Sequence, residues 1–295
     1  MRMFRFTSNP GMLFVLPAVL AIACVMIFPL IYTFVLGFNK SDLYTDAWQF
    51  VGFAQYADLF RNAEFLASIG HTFVWTVSSV TFQFAVGFMA AVLINQDFIK
   101  MKWLIRICLM VPWVLPSVIS VNIWKWLYHP DFGYINYLLK TLGIASAPIN
   151  WVADERYAML SAVIVNVWKM FPLVMLMIEA SLQSVPNELK DAAKVDGATG
   201  IREFFTVTVP HVASTSYTIV LLLIIWTLNA FTFIFVLTGG GPANSTQVLS
   251  MFIYKAAFQN YNFGVAGAAS VVLFIITALL SVIYMKYVMR GGEKG

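Results

Sequence analysis

The amino-acid sequence predicts an all-α integral membrane protein with six transmembrane helices. Hydrophobic residues make up 60% of the 295-residue chain and charged residues only 11%, whereas soluble proteins average about 45–50% and about 25%. The apolar residues are gathered into six runs, each longer than the about 20 residues that cross a bilayer. A soluble domain could not bury so much apolar surface, so the composition excludes a soluble enzyme.

None of the six runs alternates with the period of two that a membrane β-barrel strand requires. Backbone polar groups in lipid must bond within their own segment, so we expect helices. The predicted spans are residues 12–38, 69–94, 103–128, 157–178, 212–237 and 266–288. The first run exceeds the core of about 7–15 residues found in secretory signal peptides, so we predict a retained span. Pro112 and Pro116 predict a kink in the third span.

Lysine and arginine residues are distributed unequally between the two sides of the predicted spans. With the N-terminus in the cytoplasm, eleven of the 18 lie on the inward side, six lie outward, and Lys169 lies within the fourth span. The inward residues are Arg2, Arg5, Lys100, Lys102, Arg106, Lys190, Lys194, Arg202, Lys286, Arg290 and Lys294. Cytoplasmic loops carry such an excess, so we predict that both termini lie on the cytoplasmic side. We expect the membrane to be a bacterial cytoplasmic (inner) membrane. The cations form no basic stripe, so no nucleic-acid partner is expected.

The inward segment 181–211 is longer than a simple connector, and we predict two short helices in it. Pro186 suits the first turn of a helix, and Gly197 can adopt the left-handed conformation that ends one. Thr199 can cap the second helix, and Pro210 is expected to stop it before the fifth span.

The first of these two helices carries a small apolar face surrounded by charge. Leu189, Ala192 and Ala193 share one face because they are spaced at i, i+3 and i+4. The charged residues around that face are Glu188, Lys190, Asp191, Lys194 and Asp196. Such a face suits the groove of a partner protein. The alternative is a helix lying on lipid headgroups, although such a helix favours Trp or Phe over alanine.

The same loop carries a specifically spaced motif. The run L-x-x-V-P-x-E-L-x-D-A-A-x-x-D-G-A occupies residues 182–198 and is followed by Pro210. It resembles the EAA loop of permease subunits of binding-protein-dependent ABC importers. The segments Val51-Gly52-Phe53, Val167-Trp168-Lys169 with Pro172, and Leu237-Thr238-Gly239-Gly240-Gly241-Pro242 resemble the carbohydrate-uptake branch. Within it, the chain is most similar to the first permease subunit of the maltose and glycerol-3-phosphate type.

This resemblance implies a type I ABC importer permease fold that couples to a separate ATPase through its loop. The coupling residues it implies are Glu188, Asp191, Ala192, Ala193, Asp196, Gly197 and Pro210. The implied partners are a second permease subunit, an ATPase homodimer, an extracytoplasmic solute-binding protein, membrane lipid, and a carbohydrate or polyol substrate. ATP and Mg would bind the ATPase, because this chain has no G-x-x-x-x-G-K-[ST] motif and no expected cofactor of its own. Asp191 stands where the family usually has Glu, which keeps the charge but shortens its reach.

Polar residues inside spans are energetically costly and often functional. Asn166 and Lys169 lie at i, i+3 in the fourth span, as do Trp226 and Asn229 in the fifth. An aromatic face beside an amide suits a sugar ring, and the resemblance implies that these two spans line the substrate path. The alternatives are hydrogen bonding between helices for the two asparagines and snorkelling of Lys169 toward the outer interface.

The sequence contains no recognisable catalytic or metal-binding constellation. His71, His129 and His211 are far apart, so no zinc site is predicted, and no nucleophile triad can be assembled. An ion-coupled carrier would need a buried acid within a span, and of the 14 acidic residues Glu179 comes nearest, at the inner edge of the fourth. We therefore predict a transport subunit and no enzyme, with a permease for a non-sugar solute or an ion-coupled carrier as alternatives.

Three regions are predicted along the chain. Residues 1–68 hold the first span and first outer loop, residues 69–289 form the transmembrane core with the coupling loop 181–211, and residues 290–295 form a short cytoplasmic tail. The outer segments 39–68 and 130–156 are polar enough to form short caps. They could cover the mouth of a cavity or act as plain connectors.

Overall fold

The computed structural model describes residues 10–42, 45–96 and 98–286, and this part of the chain is mostly helical. The helices are α1 (Pro10–Ile22), α2 (Phe28–Gly37), α3 (Ala54–Leu59), α4 (Ala63–Ile94), α5 (Lys102–Val114), α6 (Ser117–Leu127), α7 (Tyr134–Thr141), α8 (Glu155–Gln183), α9 (Asn187–Val195), α10 (Ile201–Glu203), α11 (Val209–Leu228), α12 (Phe231–Leu237), α13 (Leu249–Tyr254) and α14 (Phe263–Tyr284). One antiparallel hairpin joins β1 (Asn39–Asp42) to β2 (Thr45–Phe50), with Asn39 opposite Phe50.

Five helical stretches in the described part are long and apolar enough to cross a membrane. They are Phe14–Gly37, α4, α8, Ile201–Leu228 and α14. Helices α5 and α6 form a sixth candidate only as a pair, because they are bent by 98° at the break between them. The all-α membrane architecture is thus confirmed. The kink predicted at Pro116 is confirmed as a full break, whereas Pro112 lies within α5.

The predicted fifth span, 212–237, is wrong in its limits. The helix begins at Ile201, ends at Leu228, and is separated from α12 by Asn229 and Ala230. Pro210 does not stop a helix, since it occupies the first turn of α11, directly after a π-helical turn at Phe204–Thr208. The helix continues past this proline, and the Val209 N–H bonds the Phe204 carbonyl across the π-helical turn.

Two other local expectations are tested by the ends of the short inward helices. Gly197 has φ +77°, so its predicted left-handed conformation after α9 is confirmed. Thr199 is not the side-chain cap that we expected. Gly200 precedes α10 instead, with φ +57° and no side-chain hydrogen bond. Glycine adopts this backbone conformation without the steric cost that a side chain would add.

The described part of the chain divides into two compact units, and the first contains the described residues within 1–62 and 253–273. Glycines let helices approach closely in this unit. A Cβ atom added to Gly267 would lie 2.8 Å from the Gly37 nitrogen, and one added to Gly264 would lie 2.5 Å from the Asn39 carbonyl oxygen. Gln55 Nε2 donates to that same carbonyl at 2.7 Å. Small residues of this kind are the usual means of close helix contact in membranes.

The second unit contains residues 63–252 and 274–295, and its core lies along α4 and α8. Buried members of that core include Val80, Ala91, Val174 and Ile178. A Cβ atom added to Gly87 of α4 would lie 2.5 Å from Val174 Cβ and 2.7 Å from the Phe171 carbonyl oxygen of α8. The two long helices are therefore in backbone contact at this glycine.

We expect Gly87→Leu to destabilise the packing of α4 on α8. Overpacking a close contact typically costs about 1–3 kcal/mol, and here the displaced atoms include backbone, which cannot rotate away. The thermal unfolding midpoint of the purified protein should fall. The matched control is Gly70→Leu in the same helix, where an added Cβ atom would meet nothing within 4 Å. Equal midpoints for the two variants would contradict this account of the contact.

The outer segment 130–156 is folded around the buried Asn136. Its Nδ2 donates to the Ile149 carbonyl at 3.0 Å, and its Oδ1 accepts from Trp151 Nε1 at 3.0 Å. Asp154 then caps α8, since its carboxylate accepts from the Arg156 backbone N–H at 2.9 Å. The Arg156 side chain also donates to this carboxylate and so holds the pKa of Asp154 below its ordinary value.

Part of the predicted topology lies outside the described residues. This applies to the tail 290–295 and to four of the cations that predicted the orientation, which are Arg2, Arg5, Arg290 and Lys294. The backbone of Lys190 is described within α9, but its side chain is not.

Candidate functional site

A cavity of about 250 Å³ lies in the second unit. It is contributed by α6, α8, the end of α11 and the start of α12. The lining residues are Ser117, Asn166, Met170, Trp226, Thr227, Asn229, Ala230, Phe231, Thr232 and Phe233. Three of the four residues predicted to form the substrate path, Asn166, Trp226 and Asn229, thus come together here.

Two breaks in helical structure supply much of this lining. Leu115 and Pro116 are extended, with ψ values of 141° and 140°, and α6 starts at Ser117. The proline ring disfavours helical conformation in the residue before it, which explains this first break. The second break is at Ala230, with ψ 80°.

The polar side chains that line the cavity differ in whether they have hydrogen-bond partners. Asn229 Nδ2 donates to the Ile225 carbonyl of its own helix at 2.8 Å. Asn166 is only 2% exposed, and its Nδ2 has no hydrogen-bond partner among the described residues. A buried polar atom without a partner is rare in folded proteins and calls for an explanation such as a bound molecule. Trp226 is 46% exposed and adds an aromatic surface to the same cavity.

Sequence reasoning missed a polar row on α4. Thr76, Ser79 and Gln83 are buried, and each carries a side-chain oxygen without a partner in the described part of the chain. Gln83 Nε2 also lies 3.5 Å from the Asn166 carbonyl oxygen. Their i, i+3, i+7 spacing places them on one helix face, so the signal was available in the sequence.

Lys169 does not line the cavity. It is only 6% exposed, and its Nζ donates to the carbonyl oxygens of Pro112 at 3.2 Å, of Trp113 at 3.1 Å and of Leu115. Neither of the roles considered from sequence, snorkelling or facing a cavity, describes this arrangement. The carbonyls belong to the end of α5 and to the break that follows it.

The coupling residues predicted from the loop lie on and around α9. Glu188, Asp191, Ala192 and Ala193 belong to this helix, Asp196 and Gly197 follow it directly, and Pro210 lies in the first turn of α11. Leu189 is 49% exposed, Ala192 is also exposed and Ala193 is partly exposed, so the described residues leave most of the small apolar face uncovered. Asp191 pairs with Lys194 at 3.3 Å on the exposed surface.

A partly buried ion pair between Arg106 of α5 and Glu179 of α8 was also missed. Arg106 Nε lies 2.9 Å from each carboxylate oxygen, and Nη2 donates as well. Glu179 is only 2% exposed, because α8 continues to Gln183 beyond the predicted end of the fourth span. Opposite charges at the inner ends of two neighbouring spans were the signal for this pair.

Comparison with known proteins places this architecture in a family. The family model described as "Binding-protein-dependent transport system inner membrane component" matches residues 83–290. The chain belongs to this family. The resemblance carried by the loop motif is thereby confirmed, and the chain is a multi-pass membrane permease and not an enzyme.

Curated relatives of this permease extend over nearly the whole chain. It is 30% identical to the probable ABC transporter permease protein YurN of Bacillus subtilis, covering 96% of this chain and 97% of the relative. It is 30% identical to the trehalose/maltose transport system permease protein MalF of Thermococcus litoralis, covering 94% and 92%. It is 29% identical to the sulfoquinovosyl glycerol transport system permease protein SmoG of Agrobacterium fabrum, covering 94% and 90%.

Solved structures support the fold of this permease. A chain from a bacterial ABC transporter involved in the import of the acidic polysaccharide alginate matches with a TM-score of 0.82 at 20% identity, covering 94% of both chains. A chain of the MetNI methionine ABC transporter in an inward-facing conformation matches with a TM-score of 0.55 at 17% identity, covering 77% and 95%. The type I ABC importer permease fold is therefore confirmed.

Proposed function

We propose that this permease imports a carbohydrate or polyol and forms half of the translocation path, with a second permease subunit forming the other half. The observation that carries the proposal is the cavity, which is lined both by Asn166, whose amide nitrogen has no partner among the described residues, and by the partly exposed indole of Trp226. A sugar ring has apolar C–H faces that stack on an indole and hydroxyl groups that accept from an amide. The sugar-transport names of several relatives support this substrate class.

Energy would come from an ATPase homodimer that binds ATP and Mg, since this chain contains no nucleotide-binding motif. The exposed face of α9, with Leu189 and Ala192, supports docking of this helix into an ATPase groove. An extracytoplasmic solute-binding protein would deliver the substrate on the opposite side. We place the assembly in a bacterial cytoplasmic membrane with both termini inside, as the lysine and arginine distribution indicates.

The connection between loop and cavity supports a mechanical role for α9. Helix α8 leads directly into the loop, and Ile201–Leu228 leads directly out of it. The same two helical stretches carry Asn166 and Trp226 into the cavity. The distance along α8 from Asn166 to Gln183 is about 25 Å at 1.5 Å per residue. A displacement of α9 by the ATPase would therefore be transmitted to the cavity walls as a hinge or rocking motion of packed helices.

The test is solute-stimulated ATP hydrolysis by the purified complex with its binding protein, measured across a panel of sugars and polyols and a set of amino acids. We expect one or more of the carbohydrates to stimulate hydrolysis. Asn166→Ala should then lower the stimulated rate about fivefold, the worth of one hydrogen bond, and Trp226→Ala should lower it as well. The matched controls are Asn122→Ala and Trp103→Ala, at exposed positions outside the cavity.

Stimulation only by amino acids would replace this proposal with the alternative of a permease for a non-sugar solute. Uptake that follows an ion gradient and does not need ATP would instead identify an ion-coupled carrier. Unchanged rates in both cavity variants would place the substrate contacts elsewhere, such as on the second permease subunit.

A further inference from the structure

The break between α5 and α6 leaves backbone carbonyls without their usual helical donors. In a continuous helix the N–H of residue 116 would bond the Pro112 carbonyl, but residue 116 is a proline and has no N–H. The Trp113 and Leu115 carbonyls lose their partners because the chain is extended at Leu115 and Pro116. All three oxygens converge on Lys169 Nζ from α8.

The number of acceptors matches the charged form of lysine. An ammonium group has three N–H donors and no acceptor, whereas a neutral amine has only two N–H donors. No carboxylate of the described residues lies within 4.0 Å of Lys169. The charge is therefore balanced by carbonyl dipoles at the C-terminal end of a helix, which is the negative end of the helix dipole. Unwound carbonyls and half-helix C-termini also coordinate monovalent cations inside other membrane proteins.

We propose that the ammonium group of Lys169 takes the place of a bound monovalent cation at the break between α5 and α6. By binding the free carbonyls there, it fixes the bend between the two half-helices. The bend matters for the cavity, because Ser117 is the first residue of α6 and lines it. Asn166 and Met170, on the same helix as Lys169, line it too. Lys169 is thus a positioning residue that ties two walls of the cavity together.

The proposal is tested by removing the ammonium and supplying it again. Lys169→Ala in the complete transporter complex removes the atoms of one propylammonium ion, so propylammonium is the matching probe. We expect the variant to lower the thermal unfolding midpoint and to reduce stimulated ATP hydrolysis about tenfold, in line with loss of charged hydrogen bonds. Propylammonium should restore both quantities in part, and uncharged 1-propanol of similar size should not.

Two side-chain variants separate charge from packing. Lys169→Arg keeps a charged donor and should retain the wild-type midpoint, whereas Lys169→Met fills similar space without donors and should behave like Lys169→Ala. The matched control is Lys125→Ala, an exposed lysine on α6, which should show no response to propylammonium. The unfolding midpoint does not depend on the substrate, so failure here is distinguishable from failure of the proposed function.

The proposal is supported if Lys169→Arg keeps the wild-type unfolding midpoint or propylammonium restores part of it to Lys169→Ala. In the same experiments Lys169→Met must lose the wild-type midpoint, and 1-propanol must not restore it. A wild-type midpoint in Lys169→Met would overturn it. So would equal restoration by propylammonium and 1-propanol, because the site would then be a void filled by volume alone. Loss in Lys169→Arg together with no restoration by propylammonium would likewise overturn it.

Discussion

Gly197→Pro is expected to abolish ATP-driven uptake while the permease still folds and inserts. Gly197 has φ +77° directly after α9, and proline is restricted to φ near −65°. The chain would have to leave α9 in another direction, so the helix would no longer present Leu189 and Ala192 in the same orientation. A Cβ atom added at Gly197 would meet nothing within 4 Å, so the effect is expected to arise from the backbone conformation.

The measurement is uptake of the identified solute into cells or proteoliposomes, normalised to the amount of inserted permease. Gly197→Asn is the matched control, because asparagine tolerates the left-handed conformation, and it should retain uptake. Ala192→Glu provides an independent change on the exposed face of α9 and should also abolish uptake, whereas Ala192→Ser should not. Normal uptake by Gly197→Pro at normal protein levels would count directly against coupling through this loop.

Arg106→Ala is expected to destabilise the second unit substantially. It would leave the Glu179 carboxylate buried without its cation. Breaking a buried pair in this way costs about 3 kcal/mol or more, and the lower figure applies because a third of the Arg106 side chain is exposed. The unfolding midpoint of the purified protein should fall accordingly.

Two further variants define the origin of this loss. The double variant Arg106→Ala with Glu179→Leu removes both charges and should be more stable than Arg106→Ala alone, since no unpaired carboxylate remains. Arg156→Ala is the control for an exposed pair and should leave the midpoint unchanged, because solvent screens the Arg156–Asp154 pair. If Arg106→Ala and Arg156→Ala had the same midpoint, the ion pair would contribute nothing to stability.

The local features of the fold were predictable because each depends on neighbouring residues. The apolar runs predicted α4, α8 and α14, and the helix α9 with its left-handed Gly197 followed from Pro186, the spacing of its apolar residues and the glycine itself. The break near Pro116 followed from the restriction that proline places on its own N–H and on the preceding residue. The break at Asn229 and Ala230 was not predicted, because neither residue interrupts a helix by its own conformational preference.

The site was predictable in part for the same reason. Asn166, Trp226 and Asn229 were identified as costly or aromatic groups within spans, and they do line one cavity. Lys169 was recognised as a buried charge, but its partners lie 54–57 residues away along the chain. Periodicity within one helix contains no information about which carbonyls of another helix will be left without donors.

The sequence by itself determined that this chain spans a membrane, roughly where it does so, and that one inward loop forms a short helix with a small apolar face. These properties follow from the transfer free energy of apolar runs and from short-range backbone preferences. Only the tertiary structure decided the partner of each buried polar group, including Arg106 for Glu179, three carbonyls for Lys169 and none for the Asn166 amide nitrogen among the described residues. In an apolar interior the free energy of a polar group depends on its partner, and that partner is contributed by a helix distant in sequence.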